Sequence, residues 1–132
     1  MNRTNDVLLW IIFTSVLLSC SQGVRFYRSF TLPSAYGNVE LKKVDEEEYF
    51  LEIDLMYMPI AEKLNRKAYV IWGQTRKDTV KLGIMKVDGE MEAHSELYTS
   101  HELERILISA ESSGQTQQEP DMIVMKSEEL SS

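Results

Sequence analysis

The sequence is poor in the side chains that bind metals and form covalent intermediates. It contains one cysteine, Cys20, and two histidines, His94 and His101, among 132 residues. A single cysteine excludes an intramolecular disulfide and a cysteine-rich metal cluster. The histidines lie in neither HExxH nor HxH spacing, and the chain contains no GxSxG. We therefore expect no catalytic residues, no metal and no cofactor, and we expect that the protein is not an enzyme.

The sequence also contains fewer basic than acidic residues. Lysine and arginine together number 14 against 21 aspartates and glutamates, which gives a formal net charge of −7. A protein that binds nucleic acid needs cations to replace the counterions of the phosphates. Attraction to anionic lipid likewise needs basic residues. The composition argues against both, so any attachment to a membrane is expected to be covalent.

The chain has no obvious transmembrane segment, but it has a short apolar run near its N terminus. Val7–Leu18 is uncharged over twelve residues, whereas a transmembrane helix needs about 20. A run of this length is typical of a secretory signal peptide. It ends in Leu17-Leu18-Ser19-Cys20, and leucine at −3, a small residue at −1 and cysteine at +1 resemble the lipobox of bacterial lipoproteins.

The lipobox resemblance implies a processing route and a compartment. Residues 1–19 would be the signal peptide, cut between Ser19 and Cys20. The thiol of Cys20 would carry the lipid, and Cys20 would be the first residue of the mature protein. We therefore expect an exported protein that is anchored to the inner or outer membrane of a bacterium through the lipid on Cys20.

The rest of the chain is expected to form short β-strands. In Tyr49–Met58, Leu51 and Ile53 alternate with Glu52 and Asp54, which is the period of two of a half-buried strand. Further strands are expected at Arg25–Leu32, Val39–Val44, Tyr69–Trp72, Val80–Val87, Glu90–Tyr98, Ile106–Ser109 and Met122–Met125. Eight short strands predict an all-β fold, a small antiparallel β-sandwich that is either immunoglobulin-like or an open barrel.

The segments between these strands predict turns of particular types. Asp88-Gly89 predicts a tight type I′ hairpin turn with positive φ at both residues. One or two helical turns are expected, at Ile60–Lys67 and at Ser100–Arg105, where Thr99 and Glu102 have capping-box spacing.

The expected organisation is a single domain with short appendages. Residues 20–25 are expected to be a lipidated tether, residues 26–126 the β-sandwich domain, and residues 127–132 a polar tail. No repeat or linker divides the chain further.

The strand pattern resembles the extracytoplasmic C-terminal domain of the anti-sigma-K factor family. The segments that carry the resemblance are Gly37-Asn38-Val39, Phe50–Met58, Tyr69–Trp72, Leu82-Gly83, Ile106–Glu111, the loop through Gly114 and Pro120, and Met122–Met125. The resemblance implies a β-sandwich outside the cytoplasm. The chain lacks the family's cytoplasmic sigma-binding region and transmembrane helix, so we expect no direct binding of a sigma factor.

A few residues are candidates for contact with a ligand or partner. Tyr69 and Trp72 are three apart on a strand and therefore face opposite sides; core packing is the preferred interpretation, with a groove as the alternative. Arg76 follows in the next turn. The loops expected to meet a partner are those at Arg76, Ser112–Pro120 and the acidic turn Asp45–Glu48.

These features favour a non-catalytic binding or interaction module of the cell envelope, in sensing or regulation, that contacts another envelope protein. Two alternatives stay open: an envelope enzyme or small-ligand carrier whose site forms only in the fold, and a purely structural lipoprotein. A deep pocket that holds His94 or His101 beside a carboxylate would favour the enzyme or carrier. A filled core would favour the interaction module.

Overall fold

Eight β-strands and one 3₁₀ turn make up the regular structure of the described chain. The computed structural model describes residues 21–113 and 118–130. The expected signal peptide, its cleavage position and Cys20 lie outside the described residues. The strands, in chain order, are β1 (Ser21–Arg25), β2 (Tyr36–Lys43), β3 (Tyr49–Met56), β4 (Ala68–Gln74), β5 (Thr79–Met85), β6 (Ala93–Thr99), β7 (Arg105–Glu111) and β8 (Met122–Lys126).

The strands form two four-stranded sheets that pack face to face. The first sheet has the order β1-β2-β3-β6 and the second has the order β5-β4-β7-β8. Every neighbouring pair is antiparallel. This confirms the expected all-β class and the small antiparallel β-sandwich.

Backbone hydrogen bonds join the two sheets along one edge. After β1 the chain crosses to β8, where the N–H of Tyr27 donates to the carbonyl oxygen of Lys126 and the N–H of Glu128 donates to that of Arg25, both at 2.8 Å. These bonds satisfy groups that an open sheet edge leaves unpaired. The two sheets are therefore joined along this edge.

The core lies between the inward faces of the two sheets. In β3, Leu51, Ile53 and Leu55 point inwards and are at most 1% exposed, whereas Glu52 and Asp54 point outwards. Buried partners from the second sheet are Tyr69, Ile71, Ile106 and Ile108. Full burial of an aliphatic side chain contributes about 1.5–3 kcal/mol, so the alternation in β3 is a main source of the sandwich's stability.

The start of the domain differs from the sequence prediction. The first strand is Ser21–Arg25, not Arg25–Leu32, and it pairs with residues 38–42 of β2. The aromatic residues of the predicted strand favour β-structure, but only Phe26 among them is buried in the core. The chain leaves the first sheet there to cross to β8. The expected tether, residues 20–25, is therefore part of the first sheet from Ser21 onwards.

The expected polar tail, residues 127–132, also contributes to the fold. Ser127 is buried, and its hydroxyl oxygen accepts a hydrogen bond from the N–H of Ile106 at 2.9 Å. Leu130 is 6% exposed and belongs to the core. The folded domain therefore extends at least to Leu130, beyond the expected limit at Lys126.

One of the two expected helical turns is present. Ala61–Leu64 form a 3₁₀ turn inside the predicted segment Ile60–Lys67. Ser100–Arg105 form no helix. The N–H of Glu104 instead donates to the carbonyl oxygen of Gln74 at 2.7 Å, which aligns the chain with β4 before β7 begins.

The connection between β5 and β6 is wider than the expected two-residue turn. Gly89 does not have a positive φ, and the left-handed conformation falls on Met91, with φ of 63°. Oδ1 of Asp88 accepts hydrogen bonds from the N–H groups of Glu90 and Glu92, at 2.8 and 3.0 Å. The Asp88 carboxylate thus closes the loop in place of a type I′ turn.

Antiparallel pairing sends the connections alternately to two opposite ends of the sandwich. We call the end at which β1 begins, at Ser21, the near end, and the opposite end the far end. The near-end segments are 44–48, 75–78 and 100–104. The far-end segments are 57–67, 86–92 and the described parts of 112–121. Segment 26–35 leaves the far end of the first sheet and begins beside Lys126 and Ser127 of the second. At about 3.3 Å per residue, the strands separate the two ends by about 16 Å at the shortest and about 26 Å at the longest.

We expect Ile53→Ala to lower the free energy of unfolding by about 2–5 kcal/mol, because it leaves a cavity between the sheets. Ile84→Ala is the matched control: Ile84 is 51% exposed on β5, and its truncation should change stability by about 0.5 kcal/mol or less. Urea unfolding followed by circular dichroism measures both. Equal losses in the two variants would contradict the burial of β3.

Candidate functional site

Tyr69 is a core residue. Its side chain lies between the sheets with 1% exposure, and its hydroxyl donates to the carbonyl oxygen of Pro59 at 2.7 Å. Desolvation by burial, with a smaller contribution from the carboxylate of Glu62, raises the pKa of Tyr69 from 10.0 to about 12. The hydroxyl therefore stays protonated and fastens the far-end segment 57–67 to the core.

Trp72 lies on the other side of β4, as its spacing from Tyr69 predicts. It is fully buried in a small second cluster with Val70 and Leu107, and its Nε1 donates to Oγ of Ser109 at 2.7 Å. Tyr69 also contributes to the floor of a shallow surface depression beside the 3₁₀ turn, but its side chain is 1% exposed. Of the two interpretations left open by the sequence, burial is the one observed for both.

The three loops expected to meet a partner do not gather at one end. Arg76 is exposed in the near-end segment 75–78, and the acidic turn Asp45–Glu48 also lies at the near end. Segment 112–120 follows β7 at the far end, and its residues 114–117 lie outside the described chain. One compact partner would therefore not reach all three loops.

Four exposed apolar side chains lie at the far end. Tyr36, Tyr57, Ile60 and Met91 are each between 43% and 56% exposed, and we call these four residues the far-end surface. The rings of Tyr36 and Tyr57 lie 5.8 Å apart, and the N–H of Met58 donates to the carbonyl oxygen of Met91 at 2.8 Å. Tyrosine and methionine are enriched in protein interfaces, and grouped exposed apolar residues mark interaction sites.

Two residues of the far-end surface have a left-handed backbone. Tyr57 has a φ of 57° and Met91 a φ of 63°. For residues other than glycine this conformation is uncommon and costs on the order of 1–3 kcal/mol. Such strain persists only where the surrounding structure enforces it, and it clusters at binding and catalytic sites. The backbone strain and the exposed apolar side chains therefore point to the same part of the molecule.

A group of polar side chains lies on the outer face of the first sheet. The register pairs Asp54 with His94 and Glu52 with Glu96; we call these four residues the outer-face cluster. Nδ1 of His94 lies 2.6 Å from Oδ1 of Asp54, and Nε2 lies 3.1 Å from Oε1 of Glu96. The side chain of His94 is 52% exposed, so the cluster is an open site on a sheet face.

The carboxylates of the outer-face cluster favour the charged form of His94. The hydrogen bond to Asp54, followed by that to Glu96, raises the pKa of His94 above its usual 6.5. In the imidazolium form both ring N–H groups donate and both carboxylates accept. The cluster can therefore hold a cation between its carboxylates. The proton on the imidazolium is the simplest example.

No motif around His94 predicts this cluster, because the residue lies in neither HExxH nor HxH spacing. Part of the signal was present, because Glu52 and Asp54, like His94 and Glu96, are two residues apart and so project from one face of a strand. The missing information was the register between β3 and β6, since Asp54 and His94 are 40 residues apart in the chain. The other histidine, His101, lies in the near-end segment 100–104.

Comparisons with known proteins provide no relative for this chain. No protein-family model, curated protein or solved structure matches it. The resemblance to the anti-sigma-K domain therefore stays a prediction from the residues quoted above. In the described part of the chain, no helix has the length and apolar character required to cross a bilayer.

We expect the imidazole of His94 to titrate above pH 6.5 in the metal-free protein. Asp54→Asn should lower that pKa, because it removes the stronger of the two carboxylate contacts. Since the folded pKa is raised, the resulting stabilisation is complete below pH 6.5 and is lost as the pH rises through the folded value. An NMR titration in the presence of a chelator measures the shift, and an identical pKa of His94 in both proteins would refute it.

Proposed function

We propose that this protein is a lipid-anchored, non-catalytic interaction module of the bacterial cell envelope. Cys20 carries the anchor, the near end of the sandwich lies at the membrane, and the far-end surface contacts another envelope protein. The observation that carries the proposal is the far-end surface, a group of exposed apolar side chains at the end of the sandwich away from the start of β1.

Cleavage before Cys20 would leave all eight described strands in the mature chain. Ser21 already pairs with Lys42 in the first sheet, so removal of residues 1–19 takes away no strand of the described sandwich. A lipid on Cys20 would then be separated from the sheet by no spacer. With the lipid one residue before β1, the near end would lie closer to the membrane than the far end.

The orientation assigns different surroundings to the two ends. The near end, with the acidic turn Asp45–Glu48 and Arg76, would face the lipid headgroups. The far-end surface would stand about 16–26 Å further out, one strand length away. Its tyrosines and methionine provide the large, adaptable contact area that protein partners use, and this supports a protein rather than lipid as its ligand.

The alternative functions have less support. An envelope enzyme or carrier would hold a histidine and a carboxylate in an enclosed pocket, whereas His94 and Asp54 meet on an open sheet face where both side chains are about half exposed. The resemblance to the anti-sigma-K domain suggests sensing or regulation. Because the mature chain is expected outside the cytoplasm, such a role requires a partner that itself crosses the membrane and excludes direct contact with a sigma factor.

We expect Cys20→Ser to abolish acylation and membrane attachment in a bacterial host. Cys20 is the only cysteine, so a fatty-acid label reports on one thiol. Each buried CH₂ contributes about 0.8 kcal/mol, and two or three acyl chains therefore hold a protein at the membrane effectively permanently. Ser21→Ala, which leaves the lipobox intact, is the control and should retain both properties. Wild-type labelling and fractionation of Cys20→Ser would overturn the anchor.

We expect the two ends to have different neighbours in the cell. Tyr36 at the far end and Tyr98 near the opposite end are 56% and 63% exposed on the first sheet, and each can be replaced by a photoreactive phenylalanine analogue. Position 36 should give a discrete protein adduct that is lost when Met91→Asp is added. Position 98 should give adducts with lipid. Lipid adducts at position 36 and protein adducts at position 98 would reverse the proposed orientation.

A further inference from the structure

Three residues of the outer-face cluster present metal-ligating atoms to a common point. Glu52, His94 and Glu96 each offer one such atom, and these atoms lie within 4.8 Å of one another. We propose that they form a binding site for a divalent transition-metal ion of the Zn²⁺ type. The site goes beyond the proposed interaction role and does not depend on acylation of Cys20.

Asp54 orients the imidazole for coordination. Its Oδ1 lies 2.6 Å from Nδ1 of His94, which leaves Nε2 directed towards Glu96 at 3.1 Å. Histidines that bind metals almost always donate their second ring N–H to a carboxylate or carbonyl, which fixes the tautomer and raises the basicity of the ligand. A metal bound to His94 Nε2 would replace the proton that Nε2 otherwise shares with Glu96. Asp54 is thus a positioning residue, and Nε2 is the ligand.

The electrostatics of the sheet face also favour a bound cation. The register places Glu40, Glu52 and Glu96 side by side on β2, β3 and β6. Like charges directly opposite one another on a sheet are destabilising. Lys42 lies 3.9 Å from Glu40, but among the described residues no basic side chain is within ion-pair distance of Glu52. A divalent cation between Glu52 and Glu96 would remove this repulsion.

The donor set determines the class of ion. An imidazole nitrogen suits zinc, copper, nickel and iron, whereas calcium and magnesium prefer ligands that are all oxygen. Three protein ligands leave a fourth tetrahedral position open. Because the side chains are exposed on a sheet face, that position is accessible to water or to a carboxylate or imidazole of another molecule. The chemistry is that of a surface zinc site with one exchangeable ligand.

Calorimetric titration of the untagged full chain in mild detergent with ZnCl₂ tests the proposal. We expect one Zn²⁺ per chain, a loss of at least about tenfold in affinity for His94→Ala, and a loss of about 10–100-fold for Asp54→Asn, the range seen for carboxylates that orient a ligating histidine. His101→Ala, which removes the only other histidine, is the matched control and should bind like the wild type. Far-ultraviolet circular dichroism verifies that each variant folds.

A second measurement separates a zinc site from a general acidic patch. Zn²⁺ should shift the NMR signal of His94 Nε2 and raise the melting temperature of the wild type but not of His94→Ala, since only a ligand that binds the folded state stabilises it. A tenfold excess of Ca²⁺ should leave both effects in place. Unchanged Zn²⁺ affinity in His94→Ala, displacement of Zn²⁺ by Ca²⁺, or no binding at millimolar Zn²⁺ would each overturn the proposal. None of these outcomes depends on the lipid anchor.

Discussion

The register of β3 between β2 and β6 is the constraint on which the rest of the structure depends. It places Leu51, Ile53 and Leu55 in the core, and it places Glu52 and Asp54 on the outer face opposite Glu96 and His94. A slip of one residue would exchange the two faces and bury both carboxylates, which is prohibitively unfavourable without partners. The core and the outer-face cluster therefore have one origin, and neither is independent of the other.

The same antiparallel pairing separates the two ends of the sandwich. Since β1 begins at the near end, the chain enters the domain on the side away from the far-end surface. The crossing of residues 25–27 to β8 then ties the two sheets together and covers an edge that is open to further strands in many sandwiches. The far end carries exposed apolar side chains of its own, among them the strained residues Tyr57 and Met91.

The sequence predicted the features that depend on local patterns of residues. It did not predict the features that depend on the pairing of distant strands. Period-two alternation identified β3, and the spacing of Tyr69 and Trp72 correctly placed them on opposite sides of a strand. The predicted strand Arg25–Leu32 was based on its aromatic content alone. Backbone hydrogen bonds between residues 25–27 and the segment at the end of β8 determine the conformation there instead. Asp88-Gly89 has the composition of a tight turn, but the Asp88 carboxylate stabilises a wider loop.

The outer-face cluster shows the same limit at the level of function. The spacing of Glu52 and Asp54, and that of His94 and Glu96, was visible within each strand. Their encounter required the pairing of β3 with β6, and no local signal gives the register of two strands that are separated by β4 and β5. The far-end surface was missed for a related reason, because its residues come from different connections that only the topology brings to one end.

The outer-face cluster and the far-end surface are physically connected. Tyr57 directly follows β3, and Met91 lies two residues before β6 begins, so both strained residues extend from the two strands that the cluster joins. A metal ion held by Glu52, His94 and Glu96 would cross-link these strands between one and four residues from their far ends. Restricting the strands would reduce the conformational entropy that the adjoining loops lose when a partner binds, and pre-organised surfaces bind more tightly for that reason. The proposed metal site would in this way act on the proposed interface without touching the partner.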